Sequence, residues 1–165
     1  MSELNLVLGA VYRKDYQSLD QLVPGYVNAQ DSDGRTPLMH AILAEDADPA
    51  MILYLLDHGA DVNAHDMGEQ WTSLHFAARD QNEAIARLLL EAGAAIDSLD
   101  SFNNTPLVRA VFNSSPNLAL IRLLLEHGAD PFKKNNEGAS AVDIARIMGQ
   151  HELVALLEQG PYFSL

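Results

Sequence analysis

The sequence predicts an all-α fold, a solenoid of four to five stacked helix-turn-helix units with projecting turns. Three observations predict it. Helix-starting hydroxyls recur at Thr36, Thr72, Thr105 and Ser140, at intervals of 36, 33 and 35 residues. Apolar runs closing on a glycine recur with them, at Gly59, Gly93 and Gly128, which are 34 and 35 residues apart. The two signals alternate in one phase along the chain. A near-fixed period of this size marks a stack of helix pairs, each too small to bury its own apolar face.

The stretch from Asp33 to Asn63 carries the unit in full. It opens Asp33-Gly34-Arg35-Thr36-Pro37-Leu38-Met39-His40-Ala41. Thr36 caps a helix with its hydroxyl, and Pro37 at the first helical position has a preset φ and no amide proton to leave unpaired. The run Met51 to Leu56 makes a second helix, Gly59 supplies the left-handed residue that closes it, and Asp61 and Asn63 favour a turn. Weaker or altered copies start at Thr72-Ser73-Leu74-His75, at Thr105-Pro106-Leu107-Val108 and at Ser140-Ala141-Val142-Asp143.

On these residues the chain resembles the ankyrin-repeat family, whose signature joins a Thr-Pro-Leu-His helix start to a Leu-Leu-x-x-Gly-Ala-Asp ending. The match covers residues 31–158 well and residues 3–30 loosely. It divides one expected domain, 1–165, into an N-terminal capping repeat (1–30), central repeats (31–65, 66–99 and 100–134), and a C-terminal capping repeat with its tail (135–165). Terminal repeats have one face in water and depart from consensus.

Within the cap, short helices are expected over residues 3–12 and 16–23, broken near Lys14-Asp15 and followed by Pro24-Gly25. Enlarged inter-helix loops sit at Glu45 to Pro49 and Asn113 to Asn117, where Pro49 and Pro116 are expected to open the second helices. The third repeat has a turn one residue longer than the fourth and holds the single tryptophan, Trp71. An outer helix is expected near residues 151–158, stopped by Gly160-Pro161. Tyr162-Phe163-Ser164-Leu165 is an apolar tail expected to cover the end of the stack.

Composition narrows the function. Hydrophobic residues make up 48% of the chain, enough for a continuous core, and there is no cysteine for a disulfide, a thiolate zinc site or a thiol nucleophile. With 23 acidic against 10 basic residues the net charge is −13, a field that repels phosphates and anionic headgroups. Nucleic acid and membrane are therefore not expected as partners. The acidity either keeps the protein soluble or steers a basic partner. No secretory leader is legible, and the expected location is cytoplasmic. The glycines are isolated and mark helix ends, so no phosphate loop is present. The histidines lack metal spacing: His58 and His127 each precede a helix-closing glycine, where a capping role fits, while His65 lies in a turn and His151 opens the last helix. No catalytic residue, metal site or cofactor is expected.

What the resemblance implies is a binding surface. In the family, partners dock on a concave face made of the projecting turns and the exposed side of each first helix. Carried over by phase, those positions are Ser32, Asp33, Arg35, Leu43, His65, Trp71, Arg79, Asp80, Leu99, Phe102, Asn104, Phe112, Asn113 and Lys134, with Tyr12 and Arg13 from the cap. Trp71 and Phe102 are expected side by side at the rim, with Arg79 and Phe112 as the floor. The alternative for Phe102, Phe112 and Trp71 is packing against neighbouring repeats. His75 is implied to bond turn backbone across neighbouring repeats. The expected function is a non-enzymatic interaction module, monomeric when free. A stoichiometric inhibitor, such as an immunity-type partner of a basic toxin enzyme, is the alternative. A third reading is an enzyme or small-molecule binder with its site between the enlarged loops.

Overall fold

The computed structural model describes residues 2–160, so the expectation for Tyr162 to Leu165 lies outside the described residues. Among the described residues there are ten α-helices and no strand. They are α1 (Glu3–Arg13), α2 (Tyr16–Tyr26), α3 (Pro37–Leu43), α4 (Pro49–Asp57), α5 (Ser73–Arg79), α6 (Glu83–Glu91), α7 (Pro106–Val111), α8 (Leu118–Glu126), α9 (Ala141–Ile147) and α10 (His151–Gln159). The first helices α1, α3, α5, α7 and α9 pack side by side in one row, and α4, α6, α8 and α10 form a second row. At the N-terminal end α2 meets α4 through a Tyr16–Tyr54 edge contact and a Tyr54 hydroxyl donated to Asp20 (2.6 Å). One core runs through every pair, from Val7 to Leu157.

Local chemistry sets the helix starts. The Thr36 and Thr105 hydroxyls accept from the amides of Met39 and Val108 (3.3 Å each), and Ser140 does the same for Asp143. Pro37, Pro49 and Pro106 stand at first helical positions, where a missing amide proton costs nothing. Two expectations need correction. α2 continues through Pro24 and Gly25 to Tyr26, because the carbonyl that Pro24 leaves without a helical donor belongs to exposed Asp20 and can bond water. Pro116 does not open α8; Asn117 caps it, its side chain accepting from the amides of Ala119 and Leu120.

The turns between repeats are built around one side chain. Asp31, Asp66, Asp100 and Asn135 recur with the repeat, and each holds its own turn. Asp31 Oδ1 accepts from the amides of Asp33 and Arg35 (2.9 Å each), Asp100 Oδ1 from those of Phe102 (2.8 Å) and Asn104 (2.9 Å), and Asn135 Oδ1 from those of Glu137 and Ala139 (3.0 Å each). In the longer third turn Asp66 Oδ1 keeps the amide of Trp71 (2.8 Å). Successive turns then join: Met67 N–H donates to Asp33 O (2.8 Å), Ser101 to Glu69 O (2.8 Å) and Asn136 to Phe102 O (3.0 Å). Each turn needs a left-handed residue two places before the helix cap. Gly34, Gln70, Asn103 and Gly138 fill that place with φ between 58° and 75°.

His75 ties the third repeat to the fourth, as the resemblance implied. Its Nδ1 accepts from the Thr72 amide (3.1 Å) with the Thr72 hydroxyl at 2.9 Å, so Nε2 carries the proton and donates to Asn104 O (3.1 Å). Burial drives its pKa down to about 4, because an imidazolium there would lose its hydration. Trp71 also packs inward, only 8% exposed, and this corrects the expectation of a surface tryptophan. The residue before each helix cap points along the stack, and Asn104 in the same phase is buried too. Trp71 lies 6.2 Å from the His75 ring and 5.1 Å from that of Phe76, with the Arg109 guanidinium 4.6 Å from its ring centre.

Three outcomes follow from these contacts. Since the unfolded chain takes a proton at His75 near pH 6.5 and the folded chain only near 4, stability is expected to fall as pH drops through that window. The loss from this residue should total roughly 3 kcal/mol, and His75→Gln should flatten that part of a pH-stability curve from urea melts. Trp71→Ala should lower stability by about 3–5 kcal/mol in the same assay, the scale for a buried aromatic. Gly34→Ala and Gly138→Ala should each cost roughly 1–2 kcal/mol for the left-handed backbone. Gly34→Ala should cost more, because a Cβ there meets Met67 N at 2.5 Å while one at Gly138 meets nothing within 4 Å. Equal losses in thermal melts would contradict the turn contact.

Candidate interaction surface

The seventh residue after each helix cap forms a row along the ends of the first helices: Leu43, Arg79, Phe112 and Ile147. Leu43 is half-buried, Arg79 is exposed, Phe112 is 50% exposed and Ile147 is 82% exposed. The next residues along, Asp80, Asn113 and Met148, widen the row; Asp80 and Met148 are exposed and Asn113 is half-buried. Tyr12 and Arg13 end α1, both exposed. A second row comprises the turn tips three residues before each cap, Asp33, Glu69, Phe102 and Glu137, all exposed, with Phe102 at 53%. His65 and Leu99, and Lys134 in the same phase, are exposed at the start of their turns, as is Ser32 near the tip of its own.

Most of the expected positions thus reach solvent, but three do so partly and two do not. Arg35, Leu43 and Asn113 are half-buried; Trp71 and Asn104 are buried. Asn104 is held by structure on both sides, its Oδ1 accepting from Asn135 Nδ2 (2.9 Å) while its carbonyl serves His75. Phe102 and Phe112 do not pack into neighbouring repeats deeply enough to be covered. Ile147, Met148 and Met67 are exposed residues absent from the sequence-based set. Counting seven from Ser140 reaches Ile147, so its signal was present in the phase; Met67 lies in the lengthened turn, where register alone does not fix a side chain's direction.

Charge is arranged unevenly. The second helices, α2 included, carry seven carboxylates (Asp20, Asp57, Glu83, Glu91, Glu126, Glu152 and Glu158) and two arginines (Arg87 and Arg122). The first helices carry Glu3 and Asp143 against Arg13, Arg79, Arg109 and Arg146. Several of these cations are engaged. Arg79 makes a two-point contact with Asp80 (2.6 and 2.9 Å), and Arg109 pairs with the buried Asp100 and with Glu69 (3.3 Å). Lys134 and the amide and hydroxyl of Ser140 hold the Asp143 carboxyl well below the usual carboxylate range.

At the N-terminal end, Asp31, His40 and Tyr12 form a carboxylate-imidazole-phenol chain. His40 Nε2 donates to Asp31 (2.7 Å), and Tyr12 donates its hydroxyl to Nδ1 (2.8 Å). The chain clasps the cap repeat to its neighbour, and the hollow beside Tyr12, lined by neither Asp31 nor His40, holds about 10 Å³, the room of a single water. The His58 and His127 side chains bond the carbonyls of Tyr54 (2.7 Å) and Leu123 (2.9 Å) at their helix ends, the capping role expected of them. Among the described residues no group of three or more His, Cys, Asp or Glu could hold a metal ion. A cleft of about 250 Å³ adjoins the second enlarged loop, between Ser114-Ser115-Pro116 and the start of α10 at Gln150 and His151. Its lining includes nothing from the first enlarged loop.

Comparison with known proteins agrees with this geometry. A family model described as ankyrin repeats (3 copies) matches residues 7–100, and one described as ankyrin repeat matches residues 102–136. A putative ankyrin repeat-containing protein of Treponema pallidum (strain Nichols) is 34% identical over 122 residues, which are 74% of this chain and 40% of that protein. Serine/threonine-protein kinase 12 of Arabidopsis thaliana is 31% identical over 128 residues, 78% of this chain and 26% of the kinase. Inversin of Canis lupus familiaris is 36% identical over 138 residues, 81% of this chain and 12% of inversin. The chain spans less than half the length of each of these relatives. With two family models covering residues 7–100 and 102–136 and five helix pairs in register, the chain belongs to the ankyrin-repeat family.

Proposed function

We infer that this chain is a non-enzymatic module that binds another protein through the concave face formed by its first helices and turns. The observation that carries the reading is the row of large apolar residues exposed in one repeat phase, Phe112 and Ile147 above all, with Phe102 and Tyr12 exposed on the same side. Side chains of this kind gain little in water and anchor interfaces when a partner covers them. Among the described residues no helix is long and apolar enough to cross a membrane, and the row lies at helix ends and not along an apolar span.

The stoichiometric-inhibitor form of this reading draws on the net charge of −13. That charge is spread over the turns and the second helices, with fourteen carboxylates outside the helices and seven on the second helices, whereas the anchors of the row are uncharged, so a basic partner would be steered by one set of groups and anchored by another. Steering and docking would then be separable. Salt would slow association without changing the residues that anchor the complex.

The test is a paired substitution. Phe112→Asp with Ile147→Asp should leave the melting temperature within a few degrees, because both side chains are already half or more in water. The same pair should weaken, by about tenfold or more, binding to the protein that the wild type captures from its source cell, identified by mass spectrometry and then purified. Arg122→Ala on α8 should leave that affinity unchanged. Loss of binding by Arg122→Ala with none from the aspartate pair would place the working surface on the second helices.

A further inference from the structure

The residue added to the third turn opens a cleft. Asp66 and Thr72 are six positions apart, where Asp31 and Thr36, Asp100 and Thr105, and Asn135 and Ser140 are five apart. The longer Met67-Gly68-Glu69-Gln70 segment stays bonded to the second turn through Met67 N–H and Asp33 O, and a cleft of about 220 Å³ lies beside it. Its lining includes Arg35 from the second repeat and Asp66, Glu69, Trp71, Phe76 and Arg79 from the third. The floor is aromatic. The Arg79 guanidinium lies over it, 5.4 Å from the Trp71 ring centre and 5.5 Å from that of Phe76.

The lining carries two guanidiniums, Arg35 and Arg79, and two carboxylates, Asp66 and Glu69. Glu69 is drawn to Arg109 (3.3 Å), Asp80 takes two bonds from Arg79, and Asp66 Oδ1 accepts from the Trp71 amide. Arg35 reaches only Asp33, at 3.7 Å. Two buried donors at the cleft, Arg35 Nε and the indole Nε1 of Trp71, have no hydrogen-bond partner among the described residues. A buried donor left unpaired is costly, so two beside one cleft mark a site that an acceptor completes. Arg79 spends Nε and one terminal nitrogen on Asp80, which leaves its other terminal nitrogen free. Two guanidiniums, with an indole N–H at the ring edge of Trp71, suit an anion, and a carboxylate meets that description with charge-assisted bonds.

We propose that this cleft receives the side-chain carboxylate of an Asp or Glu of the bound partner. The proposal rests on the binding face inferred above and fixes the direction of the complex along it: an acidic residue at Arg35 and Arg79, with apolar residues running on toward Phe112 and Ile147. It also separates local recognition from global charge. A protein of net charge −13 takes an anion at one point where Glu69 and Asp80 are drawn to arginines and Arg35 keeps a donor unspent.

Trp71 is the single tryptophan, so its indole N–H gives one resolved resonance in a ¹⁵N-labelled sample. Titration with N-acetylglutamate N-methylamide should move that resonance saturably. The glutamine analogue, equal in size but uncharged, should bind at least about tenfold more weakly, as expected for loss of a charge-assisted pair. N-acetylglycine, which offers a chain-terminal carboxylate, should also bind more weakly than the glutamate probe. Arg35→Met and Arg79→Met should each abolish the response while the resonance keeps its resting dispersion and the melting temperature holds. No movement with the glutamate probe, an equal response to the glutamine analogue, a stronger response to N-acetylglycine, or a response unchanged in Arg35→Met would each overturn the proposal. The partner assay distinguishes this from failure of the wider reading. If the Phe112 and Ile147 aspartate pair abolishes partner binding while the glutamate probe is silent, only the carboxylate assignment falls. If the probe binds and the aspartate pair is harmless, the wider surface is misplaced.

Discussion

A helix pair of seven and nine residues, such as α3 with α4, cannot hold a core of its own. Every apolar side chain it buries is buried against the next pair, and that dependence governs the rest of the molecule. Leu89 and Leu55 have no exposed surface because the second helices on either side close over them. Helices this short are marginal in isolation, so their capping bonds and their stacking must form together. Stability is therefore approximately a chain of neighbour contacts, and whatever fixes the spacing between neighbours fixes the whole.

The spacing is held at the turns by polar chemistry. Asp31, Asp66, Asp100 and Asn135 each use one oxygen to gather the amides of their own turn, which frees the turn's outer carbonyl to accept from the next repeat. Asn28 and Asn63 do a related job at the opposite end of the second helices. Asn28 donates to Gly59 O (2.9 Å) and accepts from the Asp61 amide (2.7 Å), and Asn63 repeats this with Gly93 O (3.2 Å) and the Ala95 amide (2.8 Å). The amide side chain is suited to this because it both donates and accepts. Where Asp97 takes the phase, the donor is gone and only contacts to the Asp130 amide at 3.3 Å remain. Partial burial raises the Asp97 carboxyl's pKa, the mark of a charged group standing in a place built for a neutral one.

How much of this was legible in the sequence depended on whether the signal was local. Thr36, Thr105 and Ser140 cap helices through bonds to residues three away, and Pro37 suits the first helical position because it needs no such bond, so their roles could be read from spacing alone. Tyr12, Phe102 and Phe112 were legible as surface because the phase of an exposed position repeats. Trp71 was not: its direction depends on Thr72 turning the chain into the stack, and an aromatic in a polar turn looks exposed until the Arg109 and His75 that cover it are placed, one of them from the following repeat. The Asp31 phase was present in the sequence and easily passed over, since Asp and Asn are common in any turn. Its work shows only when the amides it gathers are located. Pro24 shows the opposite failure, a strong local breaker signal overruled because the broken bond faces water.

Comparing residues of one phase separates scaffold from function in a repeat protein. Where the same phase holds the same kind of residue at every repeat, as with the helix-capping hydroxyls, the stack itself explains the choice. Where it varies freely, the stack does not require any one of them. The position before each cap runs Arg35, Trp71, Asn104 and Ala139. Asn104 is explained by its bonds to His75 and Asn135. Ala139 has no side chain to explain. Arg35 and Trp71 are left, adjacent in the stack, each with a buried donor that no other group accepts. Packing against His75 and Phe76 explains the Trp71 ring, but among the described residues the stack gives neither its indole N–H nor the Arg35 Nε an acceptor, so those two donors are the part of this phase that the proposed partner carboxylate would complete.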